Sequence, residues 1–183
     1  MGYDVFSLFY DAALEELYAP HRVAAVDALA VPNGSRVLDL PCGTGQSLDL
    51  LVRAVGEDGL VLGVRCEAGI LDRNIVSTAA GAGDFDGIFC GLGLTAFSGW
   101  EATFERMFAL LRPGGRFVIS DVHAKSHTSA SRMVEVVARA DLRREVWRPL
   151  EERVEDFVRV VLPADERRFG GELYVASGTR PAG

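Results

Sequence analysis

Lysine is almost missing from this chain. Lys125 is the single one, and arginine carries the rest of the positive charge. Cationic residues number 19 against 26 acidic ones, giving a net charge of −7. That balance leaves no basic footprint for nucleic acid or an anionic membrane, so neither is an expected partner. Cysteine is scarce as well. Cys42, Cys66 and Cys90 are odd in number and widely spaced, which argues against a disulfide framework and for a reducing compartment. No pair of them has zinc-ligand spacing, so no metal is expected. The first residues lack a basic leader and carry Asp4, Asp11, Glu15 and Glu16 among apolar neighbours. Neither a signal peptide nor a membrane span is expected there, and the expected location is cytoplasmic.

What is present is enough apolar material for a real core: 49% of 183 residues. One domain is expected over 1–183. Phe6, Phe9, Tyr10, Ala13, Leu14 and Leu17 follow helical spacing, and Pro20 opens a second helix through Leu29. Pro32-Asn33-Gly34 is a turn. Arg36–Leu40 is expected as the first strand, Thr44–Val55 as a helix and Leu60–Val64 as the second strand. Asp86–Cys90 reads as a strand and Trp100–Leu111 as a helix stopped by Pro113-Gly114-Gly115. Arg116–Ser120 reads as a buried strand and Ser131–Ala140 as a helix. Phe157–Leu162 and Leu173–Ala176 are two late strands close together. Strands alternating with helices imply an α/β fold: a doubly wound, mostly parallel sheet with helices on both faces. The last two strands suit an antiparallel edge hairpin.

The densest signal is the run from Val37 to Ser47. An apolar strand enters Asp39, then the turn Leu40-Pro41-Cys42-Gly43-Thr44-Gly45, then a helix. Glycine has no Cβ and tolerates positive φ, so a ligand can approach that backbone closely. Open α/β sheets bind their ligands at such strand ends.

These residues resemble the first motif of class I S-adenosylmethionine (SAM)-dependent methyltransferases of the small-molecule kind. Pro41 stands where the family has its first glycine, while Gly43 and Gly45 remain. Phe85-Asp86-Gly87-Ile88-Phe89-Cys90 resembles the family's fourth strand. Leu110-Leu111-Arg112-Pro113-Gly114-Gly115-Arg116-Phe117 resembles its helix-to-fifth-strand junction. The resemblance covers residues 30–122 well and the ends more loosely. It implies a Rossmann-like core over 31–183, a helical lid over 1–30 bearing Phe6 and Tyr10, SAM as cofactor and a small-molecule substrate. Two departures stand out. The family's second strand ends in an acid for the ribose hydroxyls, whereas this one is followed by Arg65, whose guanidinium has only donors. Glu67, where the family has a small residue, is the acid available to substitute. Few residues separate Leu71 from Asp86, too short a stretch for a helix and a strand, so the third strand is expected to be missing. A shortened sheet would leave the second strand's edge free to pair with another copy as a homodimer.

By resemblance, Asp39 lies near the methionine end of the cofactor, and Gly43 and Gly45 let that end approach. Each also serves as an ordinary strand–helix turn residue. Thr44 and Gln46 touch ligand or cap the helix. Gly91 and Leu92 follow the fourth strand, where the family brings backbone close to cofactor and substrate. Glu67 is the candidate ribose ligand. His123 is either a base toward a hydroxyl substrate or a loop histidine. Cys42 and Cys90 read as small buried hydrophobes, and Trp100 and Trp147 as packing residues. Two rival functions stay open: a methyltransferase-like module without cofactor, and a nicotinamide oxidoreductase, which the glycine spacing disfavours.

Overall fold

Residues 18–64 and 83–183 are described by the computed structural model. Phe6, Tyr10, Arg65, Cys66, Glu67 and the expected gap in place of a third strand fall outside them.

The described chain begins in a helix, α1, over residues 18–29. It continues through β1 (Arg36–Asp39), α2 (Leu48–Val55), β2 (Leu60–Gly63), β3 (Phe85–Gly91), α3 (Trp100–Leu110) and β4 (Leu111–His123). It ends with α4 (Ser129–Ala138), α5 (Arg148–Glu151), β5 (Glu155–Val161), α6 (Glu166–Phe169) and β6 (Glu172–Thr179). The six strands form one sheet in the order β2-β1-β3-β4-β6-β5. The first four are parallel, while β6 is antiparallel to both β4 and β5. This is the expected mostly parallel α/β sheet with an antiparallel edge pair.

Both faces are covered, which is why the central strands carry near-continuous apolar runs. Leu38, Ile88, Phe117 and Ile119 face a core built with Phe104 and Met107 of α3 and Leu150 of α5. Val37, Phe89, Val118 and Val175 face the opposite core, built with Ala25, Val26 and Leu29 of α1 and Leu51 and Val55 of α2. Positions 25, 26 and 29 share one helical stripe, and full burial of a side chain such as Leu29 contributes roughly 1.5–3 kcal/mol. Arg116 pins the end of α1 to the sheet. Its Nε donates to the Ala28 carbonyl at 3.2 Å, and its terminal nitrogens reach Thr179 at 3.2 Å and Ser177 at 3.0 Å.

The structure shifts several element boundaries. α1 is already helical at Tyr18, so Pro20 does not open it. α2 begins at Leu48 rather than Thr44, because Gly43 and Gly45 adopt φ of +54° and +89° and hold the chain out of a helix. β4 runs on to His123 because its partner β6 continues to Glu172. α4 starts at Ser129, where Thr128 and Ser131 form a reciprocal capping box. Val134 packs against the core, while Met133 and Val136 face outward, 70% and 77% exposed.

Candidate functional site

Asp39 is the last residue of β1, and it is buried. It pairs in register with Gly63 on one side and Phe89 on the other. The chain then turns across the sheet edge: the Leu40 amide donates to Phe89 O at 3.0 Å and the Cys42 amide to Val64 O at 3.0 Å. The Gly45 amide donates to Cys42 O at 2.8 Å and the Leu48 amide to Gly45 O at 3.0 Å, which closes the turn onto α2. Around the site where a Cβ would stand on Gly43, no atom of the described residues beyond its chain neighbours lies within 4 Å. The backbone face there is open.

A second loop meets this turn from β3. Leu92 takes a left-handed φ of +52°, and its amide donates to Ser120 O at 2.7 Å. Gly93 lies against Pro41; a Cβ on it would sit 2.3 Å from Pro41 Cδ. Farther along, Thr95 donates from its hydroxyl to Asp121 at 2.9 Å and from its amide at 3.3 Å. Arg144 holds the same loop through the carbonyls of Thr95, at 3.1 Å, and Phe97, at 2.6 Å.

Between turn and loop lies a cavity of about 480 Å³, within the range of small-molecule sites. Pro41, Cys42, Gly43 and Thr44 line it from the turn, and Phe89, Gly91 and Leu92 from β3 and beyond. α1 closes it with Tyr18, His21 and Arg22, and the Arg22 guanidinium donates to Gln46 Oε1.

Two buried carboxyl groups stand close in sequence to residues of the cavity wall, Asp39 before Pro41 and Asp121 after Ser120, in opposite states of satisfaction. Asp121 is bonded by Thr95 and by the Val122 amide at 2.8 Å, yet burial still raises its pKa to about 6. Neither carboxylate oxygen of Asp39 has a hydrogen-bond partner among the described residues. Burial raises its pKa to about 7. A buried acid without donors is costly when ionised. Such a group singles out Asp39 as a candidate binding residue.

Of the residues singled out in the sequence, Gly43, Thr44, Gly91 and Leu92 come together on the cavity wall. Asp39 lies beside it, sharing a sheet face with Phe89, and Gly45 packs against Leu48 just behind. Ser47, not Thr44 or Gln46, occupies the cap position of α2. Glu67 lies outside the described residues. His123 is not on this wall. It lines a separate cavity of about 450 Å³ with Lys125, Arg167 and Glu172. The imidazole stands edge-on to Trp147 at 4.8 Å, and its pKa is lowered by burial and by the charge of Arg159. The extra length of β4 places it there. Cys90 is buried and Cys42 half-buried. Among the described residues, no cluster of His, Cys, Asp and Glu is arranged to hold a metal ion. None of their helices is long and apolar enough to cross a membrane.

Tyr18, His21, Arg22 and Ser120 escaped the sequence reading. Pro20-His21-Arg22 is unremarkable in one dimension. Only the packing of Tyr18 and His21 on Phe169, at 5.1 and 5.4 Å, turns that part of α1 toward the cavity.

Comparison with known proteins bears on the family and the fold. A family model described as a methyltransferase domain matches residues 10–156. A 2-phytyl-1,4-naphtoquinone methyltransferase of Thermosynechococcus vestitus is 33% identical over 132 residues, 61% of this chain and 59% of the relative. A ubiquinone/menaquinone biosynthesis C-methyltransferase of Methylococcus capsulatus is 29% identical over 143 residues, 66% of this chain and 56% of the relative. The chain thus spans less than two thirds of the length of either relative. In fold, geranyl diphosphate C-methyltransferase from Streptomyces coelicolor A3(2), in complex with S-adenosyl-L-homocysteine, aligns with a TM-score of 0.66 at 16% identity, covering 92% of this chain and 81% of that one.

Proposed function

Since this chain belongs to the methyltransferase-domain family, we propose that it transfers a methyl group from SAM to a small organic acceptor at the cavity between the Gly43 turn and the Leu92 loop. The observation that carries this reading is Asp39: a buried carboxylate with both oxygens unpartnered, at the end of β1, beside an open glycine backbone. The cofactor's methionine end carries an ammonium group, which supplies the positive charge and donors that Asp39 lacks. The residues present therefore fit SAM.

When bound, SAM supplies an electrophilic methyl on a sulfonium, so the protein needs to position and desolvate more than to activate. Asp39 holds the positive end. Gly43 and Gly91 leave room for close backbone approach. Leu92, fixed through Ser120, forms the wall opposite the turn. Arg22 bonded to Gln46 ties α1 to the turn, and Tyr18 and Phe89 add aromatic surface that excludes water. That lining and the quinone names of the relatives support a flat, largely apolar ring as the acceptor. We place the lid and core in one domain and pair two copies through the β2 edge.

Calorimetric titration with SAM and with S-adenosylhomocysteine (SAH) tests the reading. Micromolar binding lost on Asp39→Ala is expected. Arg65, in place of a ribose-binding acid, favours a cofactor-free module instead. That alternative predicts no heat from either ligand at millimolar concentration.

A further inference from the structure

We infer that His21 is the proton acceptor of this site, taking the hydroxyl proton of a phenol-type acceptor as the methyl group is transferred. The inference rests on the methyltransferase reading for the methyl donor, but it concerns a residue that the reading itself does not need.

Four ionisable side chains line the cavity among the described residues: Tyr18, His21, Arg22 and Cys42. Arg22 has no lone pair to offer and is bonded to Gln46. The Tyr18 phenol and the Cys42 thiol are protonated at neutral pH in their ordinary state, so they must lose a proton before they can take one. Imidazole alone switches near neutrality. His21 is also unspent. Its Nδ1 is buried without a hydrogen-bond partner among the described residues. Nε2 is not among those buried, unpartnered atoms, and the His21 side chain lines the cavity.

The ring is held firmly. Tyr18 and Phe169 contact it edge-on at 6.3 and 5.4 Å, with interplanar angles of 65° and 71°. Tyr18 and Phe169 also touch each other, at 5.1 Å. Phe169 braces the imidazole from behind, and Tyr18 and Phe89 on the cavity wall offer ring surface for an aromatic acceptor. His123 has the chemistry but faces the other cavity.

The step balances simply. The acceptor's O–H proton moves to Nε2. The electron pair released on the phenolate forms the new bond to the methyl carbon, through oxygen or through the hydrogen-bearing ring carbon ortho to it. The methyl–sulfur bond breaks with its pair staying on sulfur, which becomes a neutral thioether. The imidazolium returns its proton to solvent. After attack through carbon, that carbon's hydrogen moves to the oxygen and restores the aromatic ring.

The test uses 4-nitrophenol, whose ionisation is visible as colour, added to the protein saturated with SAH at a pH slightly below the probe's own pKa. Wild-type protein is expected to bind the probe as phenolate, lowering its pKa by about one unit, a tenfold gain in the ratio of ionised to neutral probe. His21→Gln is expected to bind it with the ionisation gain abolished. In wild-type protein, the imidazole NMR signals of one histidine should shift to the imidazolium position on adding the probe, which requires no folded variant; His123→Gln and His127→Gln assign it. Equal ionisation in His21→Gln, a shift that follows His123, or no probe binding at millimolar concentration each overturn the assignment. The SAH titration reads separately: SAH binding without probe ionisation removes only His21's role, whereas probe ionisation without SAH binding removes only the cofactor reading.

Discussion

The carboxylate of Asp121, at the buried end of β4, accepts from both the hydroxyl and the backbone amide of Thr95, at 2.9 and 3.3 Å. It is a clamp between the sheet and the loop that carries Leu92. Thr95→Val keeps the shape and removes the hydroxyl donor, leaving a buried acid with one bond fewer. The expected loss is on the order of 1–3 kcal/mol, a drop of several degrees in Tm for a chain of this size. Hydrogen exchange at residues 92–97 should quicken, and SAH should bind more weakly. Unchanged exchange in the loop would mean that Arg144 alone fixes it.

Asp39 should destabilise the ligand-free protein at neutral pH and above. Its folded pKa is raised by burial from 3.8 to about 7. The folded state therefore binds the proton more tightly than the unfolded one. The stabilisation that comes with the protonated form is complete below 3.8 and disappears as pH rises through about 7. Asp39→Asn is isosteric and neutral, so its Tm should exceed that of wild type on the alkaline side, with the gap shrinking as the solution is acidified through that window. Melting curves across that range check it.

The ligand reverses that sign. A bound cation favours ionised Asp39, so SAH affinity should rise as pH climbs through about 7, and binding should release protons. Titrations in buffers of different ionisation enthalpy count those protons. Asp39→Asn should abolish both the affinity and the release. Proton release that persists in the variant would assign the linkage to another group.

The sequence made the sheet legible because parallel strands buried on both faces are written as apolar runs, as in Arg36–Asp39 and Phe85–Gly91. It also marked the turn, since Gly43 and Gly45 are glycines for a conformational reason that the φ values bear out. Gly45 misleads on α2: the helix expected from Thr44 crosses this residue, whose φ of +89° holds the chain out of the helix until Leu48. What stayed hidden depends on contacts between distant segments. His21 means nothing until Phe169 packs on it, and His123 stood out only because its strand was read three residues too short. The unpartnered state of Asp39 is likewise a property of its surroundings.

The terminal strands of the described sheet, β2 and β5, have different prospects as interfaces. Leu60 of β2 is 47% exposed, and Val158 and Val160 of β5 are 48% and 49% exposed. Pairing of two copies through β2 predicts a dimer by light scattering that Leu60→Lys dissociates and Val158→Lys leaves intact, because an edge lysine opposes strand addition. The reverse pattern would move the interface to β5. A monomer at every concentration would remove the pairing altogether.

Gly43 and Gly93 should separate binding from folding. Both border the cavity's two loops, but a Cβ would meet different surroundings. On Gly93 it would lie 2.3 Å from Pro41 Cδ and 2.4 Å from Cγ, a collision between two parts of the backbone framework that cannot be relieved by turning a flexible side chain. Gly93→Ala should therefore lower Tm sharply, with overpacking typically costing about 1–3 kcal/mol, and weaken SAH binding only as a consequence. On Gly43 a Cβ meets nothing within 4 Å, and the penalty is the left-handed φ of +54° alone, roughly 1–2 kcal/mol for a residue with a Cβ. The new methyl would stand on the open backbone face of the turn. Gly43→Ala should thus fold with a modest loss of Tm and lose SAH affinity out of proportion to it. Were the two variants to lose stability and affinity in the same ratio, the turn would be structural and the ligand would bind elsewhere.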